Sequence, residues 1–166
     1  MQRSEDDAFN GADLHYLLAA RSASREAHRA SDLARTSATD PRVRALAHRA
    51  RATQAEEIRA ITSILAGWGH DEDGPEHAAR AVERQGVQGH GVGGHGVEGQ
   101  GVDQCFLEQL TAHAEASLTS ARTELRDGFD GPSRLLAEKS SRTHWRALDS
   151  LRALAVAHSG GASVVR

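Results

Sequence analysis

Apolar and small side chains recur at steps of three and four over four long stretches of the chain. That is the period of one helix face rather than of a strand. The first stretch begins at Asp13 and runs through Leu14, Leu17, Leu18, Ser24, Ala27, His28, Ser31 and Ala34, with Asp13 at the N-cap or in the first turn. Thr39-Asp40-Pro41 breaks it and restarts it, Asp40 serving as N-cap and Pro41 as first helical residue. The second stretch is the most regular: Val43, Leu46, Ala47, Ala50, Gln54, Glu57, Ile58, Ile61, Leu65 and Trp68 share one face, and Gly67-Trp68-Gly69 ends it. The third carries Phe106, Leu107, Leu110, His113, Ser117, Ala121 and Leu125, up to the punctuation Gly128-Phe129-Asp130-Gly131-Pro132-Ser133. The fourth carries Leu135, Leu136, Ser140, Thr143, His144, Ala147, Leu148, Leu151, Leu154 and Ala155, with Gly160-Gly161 as its stop.

Four amphipathic helices of roughly 24–28 residues, each about 35–40 Å long, predict an all-α four-helix bundle built from two hairpins. The expected single domain, 1–166, has hairpin 1 at about 12–69, a linker at 70–102, hairpin 2 at about 103–158 and a disordered tail at 159–166. The linker opens with the acidic turn Asp71-Glu72-Asp73-Gly74-Pro75, followed by a short helical pattern over Glu76–Gln85. From Gly86 a five-residue repeat, Gly-Val-x-Gly-His/Gln, runs three times and begins again at Gly101. Glycine at this density costs the most backbone entropy to order, which suits a loose connection. It is long enough for a crossover along the whole bundle, though the sequence does not require one.

Composition narrows the function. Alanine is abundant while Phe, Tyr, Ile and Val are scarce outside the linker, which favours helix. The 20 basic residues are 19 Arg and Lys139, against 23 acidic ones, and no region forms a basic stripe, so a footprint for nucleic acid is missing. No apolar run is long enough to span a membrane. The start, Met1 to Asp7, has no apolar segment after Arg3, so the chain as given reads as lacking a signal peptide: cytoplasmic if full-length, extracytoplasmic if trimmed. The single cysteine, Cys105, excludes an internal disulfide and a paired-cysteine metal knuckle, and beside Phe106 and Leu107 it reads as a small core residue.

The two halves repeat each other at an offset of 90. Asp13 falls on Asp103, Tyr16 on Phe106, Leu17 on Leu107 and Ala20 on Leu110. Arg44-Ala45-Leu46-Ala47 falls on Arg134-Leu135-Leu136-Ala137, Gln54 on His144, Ile58 on Leu148 and Ile61 on Leu151. Two copies of one helical hairpin that bury their apolar faces on each other account for this.

The segments Val43-Arg44-Ala45-Leu46-Ala47, Gln54-Ala55-Glu56-Glu57-Ile58 and Leu65-Ala66-Gly67-Trp68-Gly69 follow the order v-R-x-L-A, Q-x-x-E-I, L-x-x-W-G. In this the first half resembles the DUF305 family of small, mostly bacterial, often exported proteins. Asp103 to His113 is similar to the start of that family's second hairpin. The resemblance covers about 110 residues, and it implies a ferritin-like bundle, a glycine-rich connection and metal binding. The chain reads as a degenerate member. Where the family's first helices carry Met-x-x-His-His, it has Ala20, Ala23 and Ser24 in one half and Leu110, His113 and Ala114 in the other. The Gln-x-x-Glu of the second helix stays as Gln54 and Glu57 but becomes His144 and Ala147, and Met1 is the only methionine.

The core-facing polar set is therefore Glu57, Gln54, His113 and His144. A carboxylate on an apolar stripe needs a cation or several donors. Two imidazoles and one carboxylate suit a divalent transition metal such as copper, zinc, iron or nickel. The competing expectation is a hydrogen-bonded core network without metal. His28 lies near the first stripe and is a weaker candidate. His90 and His95 in the repeat, with His70 and His77 nearby, could chelate an ion, but they serve equally as parts of a spacer. No Glu or Asp precedes a His by three residues, as a dinuclear carboxylate centre requires. Ser22, Ser24 and Ser120 lack a strand-elbow context, and the glycine repeat precedes no Lys-Ser/Thr. Trp68 and Trp145 read as core or hairpin-end anchors. The expectation is a non-enzymatic bundle with reduced metal capacity; the alternatives are a metal carrier or sensor, and a dimerisation module using the small residues Ala20, Ser24, Ala27 and Ser31.

Overall fold

The structure, a computed structural model, describes residues 9–70 and 100–161. Residues 71–99 of the linker, with its short helical pattern, most of its repeat and His77, His90 and His95, lie outside the described residues. The described chain forms four helices: α1 (Gly11–Ser37), α2 (Pro41–Gly67), α3 (Gln100–Asp127) and α4 (Gly131–Gly161). They are all-α, as the periodicity predicts. α3 begins three residues before the expected start at 103, and α4 runs past the expected end at 158 to include Gly160 and Gly161.

Local chemistry fixes the ends. Asn10, not Asp13, is the N-cap of α1: its side chain accepts from the Ala12 and Asp13 amides, and the Asp13 carboxylate accepts from the Asn10 amide at 2.6 Å, a closed capping box. Asp40 caps α2 ahead of Pro41, accepting from the Arg42 amide at 2.7 Å. α2 ends in a Schellman turn: Gly69, at φ +71°, donates to the Ala66 carbonyl and His70 to the Leu65 carbonyl. Trp68 at this turn stacks on Phe9, ring centroids 3.9 Å apart, and so pins the end of α2 to the start of α1.

The hairpins are locked to each other by a pair of exchanged aspartates. Asp13, on α1, accepts from the amides of Phe129 and Asp130 in the turn between α3 and α4, at 2.9 and 3.0 Å. Asp103, on α3, accepts from the amides of Thr39 and Asp40 in the turn between α1 and α2, both at 2.9 Å, and from the Thr39 hydroxyl. Both aspartates are 0% exposed. The turns match as well: Arg44 donates to the Ala38 carbonyl and Arg134 to the Gly128 carbonyl. All these pairs stand 90 residues apart, so the duplication in sequence is a duplication in space.

These contacts set the topology. The start of α1 meets the far turn of the second hairpin, and the start of α3 meets the far turn of the first, so α1 and α3 run antiparallel. α2 and α3 then run the same way, and the ends joined by residues 71–99 lie at opposite ends of the bundle. The sequence allows this helix order without requiring it; the contacts of the two aspartates decide it.

The core is divided. One apolar cluster, with Val43, Leu46, Phe106, Leu107, Leu110, Leu118, Leu148 and Leu151, fills the end near the first turn. A second, with Tyr16, Leu17, Ile61, Leu65, Ala121, Leu136 and Ala137, fills the other. Two expectations fail here. Cys105 is exposed rather than in the core, because the buried face of α3 is Asp103, Phe106, Leu107 and Leu110, and Cys105 points away from it. Trp145 is 47% exposed and is no anchor; Arg122 lies 5.9 Å above its ring. Ser24, Ala27 and Ser31 are buried within the single chain. No helix among the described residues is long and apolar enough to cross a membrane.

Candidate metal centre

Between the two apolar clusters the helices present polar side chains. Glu57 comes from α2, His113 from α3 and His144 from α4, and one ligand atom of each lies within 4.8 Å of the others. The helical period delivers them: each sits on its helix's inward stripe, and each comes from a different helix. Ligands about 2.0–2.2 Å from an ion stand roughly 3–4 Å apart, so the set stands slightly wider than a bound ion would hold it.

The carboxylate is held from both sides. Ser24 on α1 donates to Glu57 Oε2 at 2.9 Å, and Ser140 on α4 donates to Oε1 at 2.7 Å. Each oxygen keeps a second lone pair, so these serines orient the group without exhausting it. His144 Nε2 lies 3.9 Å from Glu57 Oε2, too far for a hydrogen bond. The two imidazoles meet edge to face, centroids 5.1 Å apart. His113 Nε2 is buried and has no hydrogen-bond partner, and Gln54 Oε1, one turn before Glu57, is in the same position.

Burial dominates the electrostatics. It pushes His113 down to about 4, aided by His144 and opposed by Glu57. It lowers His144 too, again against the pull of Glu57. Both rings are therefore neutral near pH 7, the form that offers a lone pair to a metal. An orphaned buried imidazole nitrogen, a carboxylate fixed by two hydroxyls and a second neutral imidazole fit a divalent transition ion.

Of the predicted residues, the structure brings Glu57, His113 and His144 together and buries Gln54 beside them on α2. His28 is half-buried on α1 outside the three-donor group, and His70 is exposed, 5.8 Å from the Phe9 ring. Sequence reasoning gave Ser24 and Ser140 no role at the site. Their signal was a serine on each helix's inward stripe, Ser140 one turn before His144.

The fold and this polar layer define a four-helix bundle with a mixed imidazole–carboxylate core. The sequence pattern of DUF305, described as a domain of unknown function, matches residues 24–155. The chain belongs to the DUF305 family. Its fold is similar to the crystal structure of a DUF305 fragment from Deinococcus radiodurans, with a TM-score of 0.66 at 16% identity over 87% of this chain and 95% of that one. No curated protein sequence matches it.

Proposed function

We propose that this chain holds one divalent transition-metal ion in its core, through Glu57, His113 and His144, as a carrier or sensor rather than an enzyme. The observation that supports this most is the convergence of three donors from three helices, one of them a buried imidazole nitrogen with no other partner. The donor set is borderline to hard, with no thiolate or thioether, which suits Cu(II), Zn(II) or Fe(II) better than Cu(I). One carboxylate accompanies the two imidazoles in this group, against the four that a dinuclear ferritin-type centre uses.

A second reading has its own support. Ser24 and Ser140 already satisfy Glu57, as in a hydrogen-bonded core that has outlived its metal. Titrating the demetallated protein with Cu(II), Zn(II) and Fe(II) separates the two. One equivalent should bind in the wild type and none in His113→Ala, His144→Ala. Absence of binding, or binding undiminished in the double variant, establishes the metal-free reading instead.

A further inference from the structure

A cavity of about 130 Å³ opens between α1 and α3 and reaches Glu57 at its floor. Its polar lining is made of hydroxyls: Tyr16, Ser117, Ser120 and Ser140. That volume holds a few water molecules or an anion of three or four atoms, and the hydroxyls of Tyr16, Ser117 and Ser120 give such a guest donors, that of Ser140 being given to Glu57. Tyr16 is 4% exposed, and its Oη is buried without a hydrogen-bond partner. A buried hydroxyl left unmet destabilises the fold, so it marks a place where something else completes the bond. Burial first, then Glu57 and Glu124, raise Tyr16 above the ordinary tyrosine range, with the neighbouring Ser140 hydroxyl acting the other way, so the group stays protonated and can donate.

We propose that this cavity is the seat of a small exogenous anion, bound between Tyr16 Oη and the ion held by Glu57, His113 and His144. It rests on the metal reading above. Three protein donors leave at least one coordination position open, and the cavity borders the donor set through Glu57. Bound metal offsets the Glu57 charge that would otherwise repel an anion. The chemical class is a compact oxygen or nitrogen donor of the size of azide, nitrite or formate.

The test uses the full chain loaded with one equivalent of Cu(II), its content checked by elemental analysis, and azide as the probe. A saturable azide-to-copper charge-transfer band is expected. Tyr16→Phe should keep its copper and bind azide on the order of tenfold to a hundredfold more weakly, the worth of one hydrogen bond to a charged acceptor. Ala116→Leu, at the exposed rim of the cavity, should keep its copper and weaken azide in the same way. Copper held without an azide band, or equal azide affinity in wild type and Tyr16→Phe, overturns the anion site and leaves the metal reading standing. Failure to hold copper overturns both. Should Tyr16→Phe lose its helical circular dichroism, the Ala116→Leu comparison decides.

Discussion

Glu124 is 1% exposed on α3, against the turn that leads into α4. A Cβ on Gly128 would lie 2.3 Å from its Oε1, so glycine at that position leaves room for the carboxyl. Burial first, then the adjoining Asp13, push Glu124 up to about 8, with Arg134 pulling the other way. For Asp13 burial acts upward too, but the amides of Asn10, Asp130 and Phe129 hold it below its ordinary value. The two carboxyls thus divide the labour: Asp13 is the anion that accepts backbone bonds, and Glu124 stays neutral next to it. Glu124 keeps its proton in the folded chain to about pH 8 and loses it near its ordinary value of about 4.3 when unfolded. The folded state then binds more protons over that window, so stability falls as pH rises through it. The lowered imidazoles act oppositely and only below about pH 6.5, which leaves the stretch from about 6.5 to 8 to Glu124. The urea midpoint should decline across that stretch in the wild type and stay flat in Glu124→Gln.

At the scale of elements, the hairpins meet through polar contacts as well as through the two apolar clusters. Removing the Asp103 carboxylate strands the Thr39 and Asp40 amides. Asp103→Ala is expected to cost about 3 kcal/mol, from charge-assisted bonds worth roughly 1.5–3 kcal/mol each, only partly replaced by water. Urea denaturation at pH 7 measures it, and a loss under about 1 kcal/mol would mean the turn holds its shape alone. The four helices were legible in the sequence because each must bury one stripe, and the stripe is written at the helical period. Glu57, His113 and His144 were legible as polar residues on those stripes. The exchanged aspartates were not, although the 90-residue offset laid Asp13 on Asp103. An aspartate in a first turn already has a local explanation in the helix dipole, and a partner 64 or 117 residues away leaves no periodic trace. Cys105 and Trp145 misled for a related reason. Each adjoins a core residue, Phe106 or His144, and on a helix a chain neighbour faces about 100° away.

The whole molecule has two apolar cores with a polar layer between them. Such a layer is retained at a cost in stability, since buried ionisable groups give up hydration that packing alone would not require. Replacing it by Glu57→Leu, His113→Leu and His144→Leu joins the two clusters. The variant is expected to be more stable by about 1–4 kcal/mol and to bind no metal. A triple variant less stable than the wild type would show that the polar layer itself holds the four helices in register. The 90-residue repeat also reaches the layer: Gln54 answers His144, Glu57 answers Ala147 and Ala23 answers His113, so each half supplies what the other lacks.

The exchanged aspartates carry one more consequence. Asp13 meets the turn that follows Asp103, and Asp103 meets the turn that follows Asp13, which is the reciprocal pattern of a two-fold symmetric dimer. A single hairpin pairing with its own copy would form the same lock twice. Such a dimer would be bound to place identical side chains on both sides of its axis. Joining the copies in one polypeptide lifts that constraint, and only then can a carboxylate stand on one side of the axis with imidazoles on the other.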